Sequence, residues 1–107
     1  MEGEINYMEA KEYIIKTLQT LVNIPSPSGF TKKAIEFVKG EAERFAYACE
    51  INQKGGLIIT IEGRSNETVG LTAHVDTLGA MVRSINSDGT LQFTMVGGYT
   101  MHSVEGS

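Results

Sequence analysis

Apolar residues recur at helical spacing near the start of the chain. Ile14, Leu18 and Leu21 fall three or four positions apart, with charged and polar residues between them. Because an α-helix turns once in about 3.6 residues, this spacing places them on one face. The pattern predicts an amphipathic helix over roughly residues 7–22. Two prolines within residues 24–29 end it, since proline lacks the backbone donor and restricts its predecessor.

A second helix is expected after the proline loop. Ser28 or Thr31 can cap it, because a hydroxyl oxygen accepts a hydrogen bond from an N–H of the first turn. Gly40 in its middle costs about 1 kcal/mol relative to alanine, so we expect a close packing contact there. The predicted apolar face of this helix consists of Ile35, Val38, Phe45 and Cys49.

The second half of the chain changes to a β pattern. A continuous apolar run at residues 57–61 is typical of a strand buried on both faces, and residues 69–73 form a second such run. Residues 80–85 and 91–96 flank a Ser-Asp-Gly turn, a strong hairpin signal. The order of helix, helix, strand, strand and hairpin predicts an α/β fold that becomes all-β near Gly79.

Composition and charge narrow the function classes. A chain of 107 residues, 41% hydrophobic and 21% charged, has the composition of one small globular domain that we expect to build its own core. The net charge of -4 argues against a nucleic-acid partner, since phosphate binding needs a basic patch. The single cysteine, Cys49, excludes an internal disulfide and is expected to be a buried thiol in a reducing compartment.

The amino-terminal segment bears on location. Residues 1–6 are acidic and lack the basic start and apolar core of a signal peptide. No apolar run approaches the about 20 residues that span a bilayer. We therefore expect a cytoplasmic protein without a membrane partner.

The residues that suggest chemistry follow the apolar run at 69–73. His74 and Asp76 are two positions apart, so in extended chain their side chains project to the same side. A neutral imidazole can bind zinc or cobalt, and a nearby carboxylate either binds the metal or fixes the tautomer of the ring. By spacing alone, the pair is equally compatible with a histidine that merely bonds a neighbouring carboxylate. A second histidine, His102, has no assignable role.

Three motifs follow one another along the chain. They are Ile-Pro-Ser-Pro-Ser-Gly at residues 24–29, Lys-Gly-Gly-Leu-Ile at 54–58 and Ala-His-Val-Asp-Thr-Leu-Gly-Ala-Met-Val at 73–82. In order and spacing they resemble the TET-type (glutamyl and deblocking) aminopeptidases, which are dinuclear metal exopeptidases. The chain departs from the family at Gly56, where asparagine is usual, and at Thr77, where many members carry glutamate.

The resemblance implies both a fold and an activity. It implies a zinc-exopeptidase-like α/β domain, here residues 1–78, and an inserted small β-barrel that begins within residues 79–107. His74 would be a metal ligand, and Asp76 the catalytic residue that orients it. Family members use two divalent metal ions, zinc or cobalt, to hydrolyse N-terminal bonds of short peptides, and a homo-oligomer is expected.

The remaining catalytic groups of the family follow the inserted domain, beyond Ser107. We therefore expect this chain to be the amino-terminal portion of such an enzyme, inactive by itself and binding at most one metal ion weakly through His74. Two alternatives stay open. One is a non-catalytic, self-associating module on the same scaffold, and the other is a fragment of a related dinuclear carboxypeptidase or deacylase.

Several further residues are predicted to be structural. Ser26 and Ser28 have no base nearby in sequence, so we expect them to serve in caps or turns. Met81, Met95 and Met101 are expected to fill packing gaps.

Overall fold

The computed structural model describes residues 6–106 of the chain, in which two helices precede two antiparallel hairpins. The elements are α1 (Tyr7–Val22), α2 (Lys32–Arg44), β1 (Ala48–Ile51), β2 (Leu57–Thr60), β3 (Gly79–Ile85), β4 (Leu91–Val96) and a 3-10 helix at Met101–Ser103. This order agrees with the predicted two helices followed by strands. Residues 1–5, which belong to the acidic segment and to the predicted domain 1–78, lie outside the described residues. Ser107, the last residue of the predicted domain 79–107, does so too.

Helix α1 has the predicted bounds. Asn6 caps it, because the side-chain Oδ1 accepts hydrogen bonds from the N–H groups of Met8 and Glu9 at 3.1 and 3.4 Å. The helix ends at Val22, just before the proline loop. None of its described residues is buried; on the apolar face that the spacing predicts, Ile14 and Leu18 are exposed and Leu21 is half-buried.

Helix α2 packs against the β1–β2 hairpin. Its buried residues are Ala34 and Ala42, whereas the position that a Cβ on Gly40 would take has no atom within 4 Å apart from the helix's own backbone. The predicted close contact at Gly40 is therefore wrong. Thr31 occupies the N-cap position without a capping side-chain hydrogen bond, so neither proposed capping side chain serves this helix.

The helix ends earlier than its apolar pattern suggested. Phe45 is the C-cap, and Ala46 adopts a left-handed φ of 59°, which turns the backbone out of the helix. The chain then returns as β1, which the sequence pattern did not predict. Cys49 therefore lies in a strand and is half-buried, so its assignment to a buried helical face is wrong.

The β1–β2 hairpin is a two-stranded antiparallel sheet in which Ile51 pairs with Leu57. Asn52 organises its turn, since the side-chain Oδ1 accepts hydrogen bonds from the N–H groups of Lys54 and Gly56, both at 2.9 Å. The expectation of a strand buried on both faces is wrong for β2, because α2 covers the sheet on one side and the isoleucines of β2 are exposed.

Residues 69–73 do not form the predicted strand. The side chains of Val69 and Leu71 are 85% and 95% exposed. A strand needs neighbours for its backbone N–H and C=O groups, and no strand within residues 6–106 pairs with this segment. His74 consequently follows an unpaired stretch of chain rather than an interior strand.

The β3–β4 hairpin confirms the prediction made from its Asp-Gly turn. Gly89 takes a φ of 84°, and Asp88 Oδ1 accepts a hydrogen bond from the Thr90 N–H at 3.0 Å. The pairing carries an irregularity between Val82 and Ser84. The expectation that methionines fill packing gaps is wrong for this chain, because all three are exposed: Met81, Met95 and Met101.

The expected core does not form among the described residues. Their radius of gyration is 18.8 Å, whereas a compact chain of this length has roughly 13 Å. The buried apolar residues within 6–106 are Ala34 and Ala42, because no second layer covers the β3–β4 hairpin or most of α1, and α2 covers only one side of the β1–β2 hairpin. None of the helices in this range has the length and apolar character needed to cross a membrane.

Candidate functional site

The candidate site forms where the proline loop contacts the chain after His74. The Thr77 N–H donates to the Ser26 carbonyl at 2.8 Å, and Pro27 and Thr77 form a parallel β-bridge. The Ser26 side chain is 1% exposed, and its hydroxyl donates to the Val75 carbonyl at 2.8 Å. These contacts fix the loop beside the segment that carries the histidine and aspartate.

Two glycines allow the loop and the segment to approach each other. Gly29 has a φ of 86°, and the Phe30 N–H donates to the Pro27 carbonyl at 2.8 Å, so the loop closes in a turn that favours glycine. A Cβ on Gly79 would lie 2.6 Å from Pro27 Cβ. The Pro-Ser-Gly and Leu-Gly parts of two separate motifs therefore meet in space.

His74 and Asp76 interact directly. The His74 Nδ1 lies 2.9 Å from Asp76 Oδ1, which confirms that the two side chains project to the same side. The Ser28 hydroxyl donates to the other carboxylate oxygen, Oδ2, at 2.6 Å. The side chain of His74 is 83% exposed and that of Asp76 is 43% exposed, so the imidazole stands at the surface with its carboxylate partner beneath it.

Ser26 and Ser28 are the residues that sequence reasoning missed. Both are predicted to serve in caps or turns, but the Ser26 hydroxyl bonds Val75, 49 positions away, and the Ser28 hydroxyl bonds Asp76, 48 positions away. No local signal could reveal these partners. The contacts depend on the parallel bridge between loop and segment, which only the folded chain shows.

The electrostatics of the site determine which ring nitrogen carries the proton. The Ser28 hydroxyl, followed by the His74 imidazole, lowers the pKa of the Asp76 carboxyl below its ordinary value. An ionised carboxylate only accepts hydrogen bonds, so Nδ1 of a neutral His74 must be the donor. The lone pair then lies on Nε2, the nitrogen that a metal ion would bind.

The donor set fits one ligand of a metal centre. A structural or catalytic zinc site takes at least about three protein ligands. Within residues 6–106, no cluster of three or more histidine, cysteine, aspartate or glutamate side chains is placed to hold an ion. His74 could supply one such ligand through its imidazole, with Asp76 as the carboxylate that would orient the ring.

The pair faces an open cleft of about 780 Å³. Its walls combine Lys54 and the glycine turn beside it with apolar side chains from α2, β2 and residues 69–73. A cleft of this size, about 300–1,000 Å³, is typical of small-molecule sites. His102 does not line it; its Nδ1 lies 3.6 Å from Glu105 Oε2, and both side chains are exposed.

Comparison with known proteins identifies relatives of the chain. The family model for the M42 glutamyl aminopeptidase matches residues 55–107. The protein YhfE of Bacillus subtilis (strain 168), whose name describes an aminopeptidase, is 42% identical over 93 residues, which are 86% of this chain and 27% of that protein. The glutamyl aminopeptidase of Lactococcus lactis subsp. cremoris (strain MG1363) is 29% identical over 91 residues, 83% of this chain and 26% of that protein.

The chain thus spans about a quarter of the length of the curated relatives it matches. Both relatives carry aminopeptidase names, as the three motifs led us to expect. The chain belongs to the M42 glutamyl aminopeptidase family.

Proposed function

We propose that this chain provides the first part of the active site of a metal-dependent aminopeptidase, a hydrolase that cleaves N-terminal bonds of short peptides. The observation that carries the proposal is the 2.9 Å contact between His74 Nδ1 and Asp76 Oδ1 in a chain of the M42 family. His74 is a metal ligand through Nε2, and Asp76 orients it.

The chemistry divides between the metal centre and the chain. Two divalent ions, zinc or cobalt, supply Lewis acidity and a nucleophilic water when they are bound. The chain's own residues prepare the ligand: Asp76 keeps the proton of His74 on Nδ1, so that Nε2 is free to coordinate. The open cleft beside the pair admits a short peptide.

We place this segment within a longer architecture. Residues 1–78 contribute to the zinc-exopeptidase-like α/β domain, and residues 79–107 begin the inserted β-barrel. The start of β3 at Gly79 supports this junction, and the exposed apolar faces of α1 and both hairpins support packing against further chain. With a single imidazole at the site, the 107-residue chain alone is expected to bind one ion weakly and to lack peptidase activity.

Calorimetric titration of the 107-residue chain with zinc and with cobalt tests the proposal. The wild-type chain is expected to bind one ion, and His74→Ala to abolish binding. His102→Ala is the matched control, because that exposed histidine lies outside the cleft, and it should leave binding unchanged. Asp76→Asn should weaken binding about 10-fold or more, as loss of an orienting carboxylate typically does. Equal affinity of His74→Ala and the wild type would refute the assignment.

A second candidate function is self-association, favoured by the exposure of Val69 and Leu71 and by the open edges of two two-stranded sheets. Sedimentation velocity over a hundredfold concentration range tests it. Growth of a larger species that Leu71→Asp suppresses would support it, and a concentration-independent monomer would exclude it.

A further inference from the structure

We propose that Ser28 is a positioning residue of the His74–Asp76 pair: its hydroxyl holds the carboxylate in the rotation that keeps the His74 proton on Nδ1. The effect of Ser28 on metal binding rests on the proposed function. The hydrogen-bonded arrangement itself belongs to the described chain and can be tested without an ion.

Each oxygen of the Asp76 carboxylate has its own hydrogen-bond partner. Ser28 Oγ donates to Oδ2 at 2.6 Å, and His74 Nδ1 contacts Oδ1 at 2.9 Å. The torsion about the final side-chain bond of an aspartate is broad, so hydrogen bonds to both oxygens restrict the rotation of the carboxylate more than one bond does. The Ser28 hydroxyl on Oδ2 therefore keeps Oδ1 turned toward the imidazole. If that hydroxyl is removed, the carboxylate can rotate away from His74.

Ser28 differs from Ser26 in what its hydroxyl serves. Ser26 is buried and donates to the Val75 backbone carbonyl, so it holds the loop against the histidine segment. Ser28 is exposed, and its hydroxyl donates to the Asp76 side chain. Ser28 is therefore placed to act on Asp76.

The backbone positions Ser28 independently of its own hydroxyl. The Thr77 N–H bond to Ser26 and the turn from Pro27 to Phe30 fix its Cα on both sides. Replacement by alanine is therefore expected to remove the oxygen without moving the loop. This separates positioning from structure in the experiment.

The first measurement is the tautomer of His74 in the 107-residue chain, read from the nitrogen-15 shifts of its ring at about pH 8, where histidine side chains are ordinarily neutral. In the wild type, Nδ1 should be the protonated nitrogen. Ser28→Ala should shift population to the Nε2–H form. Ser28→Thr keeps a hydroxyl and should restore the wild-type shifts. Ser84→Ala is the matched control, since it removes a hydroxyl that contacts Gln92 in the β3–β4 hairpin.

The second measurement is zinc affinity. Ser28→Ala should raise the Kd about 10-fold, the lower end of the loss seen when groups behind a ligand are removed. Ser28→Thr and Ser84→Ala should bind as the wild type does.

The outcomes separate this proposal from the proposed function. A wild-type His74 in the Nε2–H form, or one whose tautomer does not respond to Ser28→Ala, overturns the positioning role without the use of any metal. If the tautomer responds while the wild type binds no zinc, the positioning role stands and the metal assignment fails. If zinc binds His74 equally in wild type and Ser28→Ala, the metal assignment stands and the positioning role fails.

Discussion

Residues 69–73 and 75–79 lie on either side of His74, and they differ in what holds them. The first segment exposes Leu71 almost completely and has no backbone hydrogen bond among the described residues. The second is bonded to the proline loop through the Thr77 N–H and the Val75 carbonyl. The histidine is therefore fixed from its carboxyl-terminal side, the side that also carries Asp76.

Apolar character alone does not make a strand. Residues 69–73 are the more apolar of the two segments, but only residues 75–79 meet a partner within residues 6–106, and that partner is a loop with a buried serine. The burial and the hydrogen bonds at the site come from contacts with the proline loop. They do not come from strand pairing by residues 69–73. Substitutions in either segment test this contrast.

The largest effect is expected at Gly79. In Gly79→Ala the added Cβ would meet Pro27 Cβ at 2.6 Å and push the loop away. Overpacking of this kind costs about 3 kcal/mol, so exchange of the Thr77 amide should accelerate roughly a hundredfold. Gly98→Ala is the control, because the Cβ added there would meet no neighbouring atom within 4 Å. Hydrogen exchange measured by NMR checks both, and unchanged protection of Thr77 in Gly79→Ala would contradict the contact.

A smaller effect is expected at Ser26. Ser26→Ala leaves the Val75 carbonyl without its donor, which costs about 1–2 kcal/mol and should speed Thr77 exchange roughly tenfold. Ser103→Ala removes an exposed hydroxyl that bonds the Thr100 carbonyl and should leave Thr77 unaffected. Equal effects of the two substitutions would show that the buried hydroxyl does not hold the loop.

A contact between the helices provides a reference remote from the site. Tyr13 Oη donates to Glu41 Oε2 at 2.8 Å, and this bond, followed by that from Arg44, lowers the pKa of Glu41 below its ordinary value of 4.5. A lowered folded-state pKa stabilises the fold above the unfolded pKa, and the gain is lost as pH falls through the folded pKa.

Tyr13→Phe should therefore flatten the loss of helical circular dichroism between about pH 5 and pH 3. Tyr7→Phe, at a tyrosine that is 84% exposed, is the control and should titrate like the wild type. Because this contact lies between α1 and α2, protection of the Thr77 amide should not change. A change there would mean that the loop contact depends on the helix pair.

The smallest effect is expected at Leu71. Leu71→Ser should alter stability by less than about 0.5 kcal/mol, because the side chain is already in solvent. The amides of residues 69–73 should exchange at the rate of unprotected chain in both proteins. Strong protection of these amides would show that the segment has a partner and would remove the contrast between the two sides of His74.

The sequence predicted the elements whose hydrogen-bond partners lie close to them along the chain. The spacing of Ile14, Leu18 and Leu21 determined α1, and the Asp-Gly turn determined the β3–β4 hairpin, because each element contains its own hydrogen-bond partners. The prediction of a strand at residues 69–73 was wrong because a strand needs a neighbouring strand, which can lie far away along the chain. The end of α2 was misplaced because Ala46 turns left-handed, a conformation that alanine seldom adopts.

The candidate site was predictable in part for the same reason. His74 and Asp76 are two positions apart, so an extended backbone was enough to place them together. Ser28 lies 48 positions from Asp76, and its role required the bridge between Pro27 and Thr77. The motifs at residues 24–29 and 73–82 both indicate the family, but their order along the chain does not show that they touch.

The bond between Ser26 and Val75 closes a ring of backbone across a separation of 49 residues, and α2 and the β1–β2 hairpin lie inside that ring. Local contacts form faster than distant ones, so these elements are expected to fold before the loop reaches the histidine segment. Closure entropy grows slowly with length, by about 0.6 kcal/mol for each doubling. Insertions into the exposed loop at residues 63–67 should therefore leave the assembly of the site almost unchanged, whereas substitutions at either end of the ring should weaken it.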